Sequence, residues 1–224
     1  MAAFLWAMVD ERHSFVTVAI PRLAGKSTTA NAVLDLVPPG TPVHRLSGDT
    51  REMEQLKKET LGGYLVVGEF SQAPVQSYIW GEPVRQVFET LRAGYSLAVT
   101  LHASGLREAF EEICHGNGVA DEDAFKIHYM LYIRRFEDIE GNFWRRLAEI
   151  HEVEGVKDGR PRGYLLYRWV EVDDTFEKVG KPLLLKASAK DLGAREELIR
   201  SMASAGRLSS EDIATMVRQY RRPG

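Results

Sequence analysis

The six residues Ala24-Gly25-Lys26-Ser27-Thr28-Thr29 carry the clearest chemistry in the sequence. A glycine that permits a tight turn, a lysine and successive hydroxyl side chains suit the cradling of phosphate groups. Backbone N–H groups at a helix start point at the anion, and lysine adds a point charge. An apolar run, Phe15-Val16-Thr17-Val18-Ala19-Ile20, precedes the motif, and Ala30-Asn31-Ala32-Val33-Leu34-Asp35-Leu36 follows it with a helical pattern. Strand, glycine turn, Lys-Ser/Thr and helix is the context that a phosphate-binding loop requires. There, Lys26 reaches the β- and γ-phosphates of a nucleotide and Ser27 ligates magnesium. The tail of the pattern G-x-x-x-x-G-K-[ST] is intact. Its first glycine is replaced by Ile20, and Pro21 has no amide to donate. The plainer alternative is an ordinary strand-to-helix turn with Lys26 facing solvent.

Three further polar residues end predicted strands. Glu69 follows Val66-Val67-Gly68, His102 follows Thr100-Leu101, and Asp49 follows Ser47-Gly48. Ligands of open α/β sheets bind beyond the carboxyl ends of the strands. A carboxylate at Glu69 suits holding magnesium or polarising an attacking water, against the alternative of a surface acid. A neutral imidazole at His102 suits contact with a γ-phosphate, against that of a half-buried histidine satisfied by local backbone. Asp49 is a further candidate for the metal. His44, His115, His128 and His151 show no spacing of a metal site. Gly68-Glu69 is not a nucleophile elbow.

The elements that must position these residues alternate along the first half of the chain. Val43 to Leu46 and the continuous apolar run Tyr64 to Val67 read as strands, as does Ser96 to Leu101. Glu52 to Glu59, Glu82 to Arg92 and Leu106 to Ile113 read as helices, the second with Val84, Val87, Phe88 and Leu91 on one face. This alternation predicts a parallel α/β sheet. The pattern changes near Asp121. Tyr129 to Arg134, Leu147 to Val153 and Gly163 to Val172 read as strands joined by turns at Gly141-Asn142 and Lys157-Asp158-Gly159, an antiparallel extension of the core. From Ala194 onward two helices are expected, with Ser209 or Ser210 capping the second. We therefore expect a core over residues 1–174 and a helical segment over 175–224. That segment is net basic and the remainder net acidic, and its plain reading is a solvated tail.

Composition bounds the partners. The 224 residues carry a net charge of -3, which gives no reason to expect nucleic acid. A single cysteine, Cys114, forms no internal disulfide and suits a reducing compartment such as the cytoplasm. The apolar start, Met1 to Val9, lacks a basic region and is too short to span a bilayer, so it is expected to pack on the core as helix or strand.

Taken in order, these residues resemble a family. Tyr64-Leu65-Val66-Val67-Gly68-Glu69, then Gly81-Glu82, then Thr90-Leu91-Arg92-Ala93-Gly94-Tyr95-Ser96 and Thr100-Leu101-His102-Ala103 look like the atypical Walker B, the Thr-Gly-His-like turn and the histidine box of the type II/type IV secretion ATPases. These are hexameric motors of secretion systems, type IV pili and archaella. Ile133-Arg134-Arg135-Phe136 and Leu147 to Val153 look like the family's later β segment. The resemblance covers residues 15 to 175. It implies a RecA-like P-loop core that binds ATP and Mg2+. Ala24, Gly25, Lys26, Ser27 and Thr28 would form the nucleotide loop. Glu69 and His102 would be catalytic, and Ser27, Glu69 and Asp49 would hold the metal. It also implies a full-length secretion ATPase or a membrane platform protein as partner, at the inner face of the membrane.

The chain departs from the family at identifiable points. Ser47-Gly48-Asp49-Thr50-Arg51-Glu52 resembles a Glu-Asp-Thr-x-Glu segment with Gly48 in place of its first acid. Where the family has Arg-x-x-Pro-Asp, this chain reads Glu59-Thr60-Leu61-Gly62-Gly63. The family's large N-terminal domain has no counterpart in this sequence. Arginines stabilise charge developing on a transferred phosphoryl group, so these losses affect turnover more than affinity. The expected activity is weak or partner-dependent ATP hydrolysis. A non-catalytic nucleotide-sensing module is the alternative and a small-molecule kinase a weaker third. The isolated chain is expected to be a monomer or small oligomer.

Overall fold

The computed structural model describes residues 1–21 and 23–220. In chain order the strands are β1 (Phe15–Val18), β2 (Val43–Arg45), β3 (Gly63–Val67), β4 (Glu69–Phe70), β5 (Tyr78–Ile79), β6 (Tyr95–Leu101), β7 (Tyr129–Glu137), β8 (Phe143–Lys157), β9 (Arg160–Val170) and β10 (Thr175–Lys178). The α-helices are α1 (Ala2–Asp10), α2 (Lys26–Leu34), α3 (Thr50–Glu59), α4 (Glu82–Leu91), α5 (Leu106–Glu111), α6 (Asp121–Ala124), α7 (Ala189–Ser204) and α8 (Ser210–Tyr220).

Eight strands form one sheet in the order β10-β9-β8-β7-β1-β6-β3-β2. The five from β7 to β2 run parallel, and β8, β9 and β10 add antiparallel pairs at the other edge. This is the expected α/β architecture, a parallel sheet with an antiparallel extension and C-terminal helices, and it is consistent with a RecA-like P-loop fold. Parallel strands need crossover helices and so are covered on both faces, which explains the unbroken burial of β1, β3 and β6. Side chains alternate across the sheet. Val16, Leu65, Val67, Leu97 and Val99 pack with α3, α4 and α5 on one face. Phe15, Tyr64, Val66 and Ala98 pack with α1 and α2 on the other. All four apolar positions expected on α4 are buried.

The antiparallel strands are longer than their apolar runs. Pairing with a neighbour carries β8 from Phe143 to Lys157 through polar sequence. The β8–β9 turn has left-handed Asp158 (φ 52) and Gly159 (φ 71), the geometry of a tight primed hairpin turn. The strand β10 belongs to this sheet, and the helical segment begins at Ala189.

The apolar start is a helix. Seven of the nine residues of α1 are buried, because the helix lies between the sheet and the C-terminal helices. Phe4 meets Tyr129 edge to face at 5.2 Å, and Trp6 meets Tyr220 at 4.9 Å. The tail is therefore not solvated throughout: Met216 and Val217 of α8 are buried against Trp6. Ser209 caps α8, its hydroxyl accepting from the Asp212 amide at 3.1 Å.

Candidate functional site

The chain leaves β1 at Val18 and enters α2 at Lys26. Gly25 caps α2 with φ 91, a left-handed conformation that favours glycine. The first amides of a helix lack intrahelical partners. Here they start from Gly25, Lys26, Ser27 and Thr28, which line a cleft of about 650 Å³. Ala24 is buried behind them against Ala19 and Ile133.

Glu69 is placed by a short parallel ladder. The strand β3 stops at Gly68, and β4 pairs with β5 so that Glu69 lies opposite Tyr78. Gly68 is needed for this close approach, since a Cβ there would stand 2.7 Å from the Ser77 carbonyl oxygen. Thr100, one strand over on β6, donates to the Gly68 carbonyl at 2.6 Å and lies 3.3 Å from Glu69 Oε2. The segment after β4 contributes Ser71, Ala73 and Val75 to the cleft wall.

Three side chains from three elements meet at the floor. Lys26 Nζ lies 3.1 Å from Glu69 Oε2 and 3.1 Å from His102 Nε2. His102 Nε2 lies 3.4 Å from Glu69 Oε1, and His102 Nδ1 lies 3.1 Å from the Ile20 carbonyl oxygen. The carbonyl can only accept, so Nδ1 carries a proton and donates to it. A lysine ammonium can only donate, so Nε2 is the acceptor of the neutral ring. His102 thus links the first residue of the incomplete loop to its lysine. Lys26 and Glu69 are buried and His102 is half-exposed. A buried ion pair whose members also have neutral hydrogen-bond partners avoids the cost of stranding either charge.

The structure brings together Ala24, Gly25, Lys26, Ser27, Thr28, Glu69 and His102 at one cleft. Asp49 lies elsewhere. Its carboxylate caps α3, accepting from the Arg51 amide at 2.8 Å, and it does not line this cleft. Glu52 reaches back to the Ser47 amide at 3.0 Å and hydroxyl at 3.1 Å. Both acids of the Asp-Thr-x-Glu-like segment therefore serve a capping arrangement. Gly48, which stands in place of the segment's first acid, has φ 90 and leaves 2.5 Å between a built Cβ and Ile79 Cγ2. The left-handed backbone and the Ile79 methyl make any side chain there, an acid included, strained.

Arg145 is a cleft residue that the sequence alone does not reveal. It comes from β8 and lines the cleft, donating from Nε to the Leu23 carbonyl at 3.0 Å. No spacing in the sequence links it to the loop; the antiparallel register brings it there.

Oxygen donors suited to magnesium are present, because the Ser27 hydroxyl and the Glu69 carboxylate line the same cleft. Among the described residues no group of three or more His, Cys, Asp and Glu side chains is placed to hold a metal by itself. Among the described residues no helix is long and apolar enough to cross a membrane.

No protein-family model matches the chain. It is 28% identical over 239 residues to the uncharacterized protein MJ1287 of Methanocaldococcus jannaschii, covering 91% of this chain and 83% of that protein. Among solved structures it is similar to the VirB11 ATPase from the Brucella suis type IV secretion system, in complex with sulphate, at a TM-score of 0.43 and 12% identity over 63% of this chain and 51% of that one. It is also similar to the ATPase DotB of Yersinia pseudotuberculosis (TM-score 0.44, 14% identity, 95% of this chain and 60% of that one). The DotB of Legionella pneumophila matches at 0.44 and 10% identity over 96% of this chain and 54% of that one. The chain thus spans between half and two thirds of the length of each of these structures.

Proposed function

We propose that this chain is a nucleotide-binding P-loop protein, acting as a weak or partner-dependent ATPase related to type II/type IV secretion and pilus motors. The observation that carries the reading is the meeting of Lys26, Glu69 and His102 beneath a loop capped by left-handed Gly25. Loop amides and Lys26 would hold the phosphates of ATP. Ser27 and Glu69 would hold Mg2+, which supplies charge neutralisation at the transferred phosphoryl group. His102 would report the terminal phosphate to the Ile20 carbonyl through its fixed Nδ1–H. Residues 1–174 would carry the site and 175–224 would brace it through α1. The proposed setting is cytoplasmic, with a full-length secretion ATPase or a membrane platform protein as partner and the chain alone a monomer or small oligomer.

The test is titration of the full chain with ATP and magnesium, paired with phosphate-release assays with and without membrane partners. Binding that Lys26→Ala removes is the expected result. An absence of binding in both proteins would overturn the reading. A second reading, a nucleotide-sensing module without turnover, is favoured by the Lys26–Glu69 ion pair itself. The pair engages the Lys26 ammonium and one Glu69 oxygen, Oε2, which phosphate and metal would otherwise take. Tight binding with no turnover above the Lys26→Ala control would select that reading.

A further inference from the structure

Arg145 stands directly opposite Arg135 on the paired strands β8 and β7. Alternate residues share a face. Phe143, Arg145 and Leu147 therefore lie on the side where Leu147 packs against the cluster containing Ala19 and Ala24 of the loop. The Arg145 Cδ lies 2.9 Å from where a Cβ on Gly25 would be. Its guanidinium carbon lies 4.9 Å from the centroid of the Phe143 ring, and that of Arg135 lies 4.8 Å from the same ring. Like charges directly opposite one another on neighbouring strands repel. Arg135 is answered by Glu137 at 3.0 Å. Among the described residues Arg145 has no carboxylate partner, and its Nε is bonded to the neutral Leu23 carbonyl. An exposed guanidinium, backed by an aromatic ring and without a counter-ion, forms one wall of the phosphate cleft.

The sheet order fixes which end of the cleft this is. Glu69 and His102 come from the side of β1 occupied by β6 and β3, whereas Arg145 comes from beyond β7 on the other side. A phosphate chain held by the loop, with its terminal group toward Glu69 and His102, directs its opposite end toward Arg145.

We propose that Arg145, backed by Phe143, receives the nucleoside end of the bound nucleotide, with its planar guanidinium against the base. The inference rests on the nucleotide reading above and adds a specificity-determining residue to it. A guanidinium stacks on planar π systems in a way that a lysine ammonium does not.

The experiment is calorimetric titration of the full chain with Mg-ATP, Mg-ADP and Mg-tripolyphosphate, for wild type, Arg145→Lys and Arg145→Gln. The lysine variant keeps the charge and loses the plane. Both variants are expected to bind ATP and ADP about tenfold more weakly, by equal factors, in line with the loss of one stacking contact. Tripolyphosphate, which has no nucleoside, should be bound as by wild type. Equal weakening of tripolyphosphate would overturn the proposal and leave Arg145 as a brace for the loop. Weakening of ATP alone would assign it to the terminal phosphate instead, and unchanged nucleotide affinity would remove it from the site. Wild-type binding of tripolyphosphate without any preference for nucleotide would defeat this proposal and spare the phosphate loop. Binding of none of the three would defeat both.

Discussion

Lys26 Nζ and Glu69 Oε2 stand 3.1 Å apart at the floor of the cleft, with 7% and 5% of their side chains exposed. Each is the other's main counter-charge. Removing one partner of a buried pair strands the remaining charge and typically costs about 3–5 kcal/mol. Lys26→Ala and Glu69→Ala are each expected to destabilise the chain by about 3 kcal/mol, with the neighbouring His102 and Thr100 softening the loss. The double variant should lose less than the sum, with a coupling of about 1–3 kcal/mol. Urea unfolding of the four proteins measures it. Strictly additive losses would show that the pair does not form in solution.

Gly48 occupies the position at which the resemblance calls for an acid. Its φ of 90 and the 2.5 Å from a built Cβ to Ile79 Cγ2 make any side chain costly. Gly48→Glu is therefore expected to lower stability by about 2 kcal/mol or more and to bring no gain in ATP hydrolysis. Gly48→Ala should cost less in an Ile79→Ala background than in the wild type, because only the left-handed strain remains there. Thermal melts and phosphate release check both halves. A Gly48→Glu protein of undiminished stability and raised turnover would overturn this account.

The parallel core is legible in the sequence because its signals are local. The apolar runs of β1, β3 and β6 mark strands buried on both faces, and Gly25-Lys26-Ser27 marks a turn with its helix. Glu69 and His102 are legible as the ends of two such strands. What cannot be read depends on contacts distant in sequence. Arg145 reaches the loop through the β7–β8 register, and Asp49 is drawn to the start of α3 by a helix end that needs an acceptor. The ladder of β4 with β5 comprises two residues on each strand, too few for periodicity to show. The burial of α8 depends on Trp6 at the far end of the chain.

His128 supplies a pH dependence remote from the cleft. The Ser14 amide donates to its Nδ1 at 3.1 Å, which requires the neutral ring. Burial, with a contribution from nearby His13, lowers its pKa from 6.5 to about 4. Between those values the unfolded chain binds a proton that the folded chain does not, so stability falls as pH drops from 6.5 towards 4 and levels off below. The full span is about 3 kcal/mol, since each pH unit between the two values contributes about 1.4 kcal/mol. Burial also lowers the pKa of His13, in the same direction. His128→Asn keeps an acceptor for Ser14 and removes this titration. Denaturation at about pH 7 and about pH 4.5, on either side of most of this transition, should therefore show a smaller difference for the variant than for wild type. An equal difference would place the acid sensitivity in other groups.

Arg195 ties the C-terminal helices to the core. Its guanidinium carbon lies 4.7 Å from the centroid of Trp6 and 4.8 Å from that of Tyr220. The same group bonds Asp10 at 2.8 Å and Asp191 at 2.8 Å. Only 6% of the side chain is exposed, and the cation that meets both carboxylates is held between two rings. Arg195→Ala is expected to cost about 3 kcal/mol, and Arg195→Lys most of that, because an ammonium cannot stack and bond both acids at once. The exposed pair Arg200–Glu196 on the same helix is the control, and Arg200→Ala should cost less than about 0.5 kcal/mol. Chemical denaturation gives the magnitudes. Limited proteolysis locates the effect, with cleavage between α7 and α8 rising in Arg195→Ala and not in Arg200→Ala. Equal losses in the two variants would show that α7 and α8 are held by their apolar contacts alone.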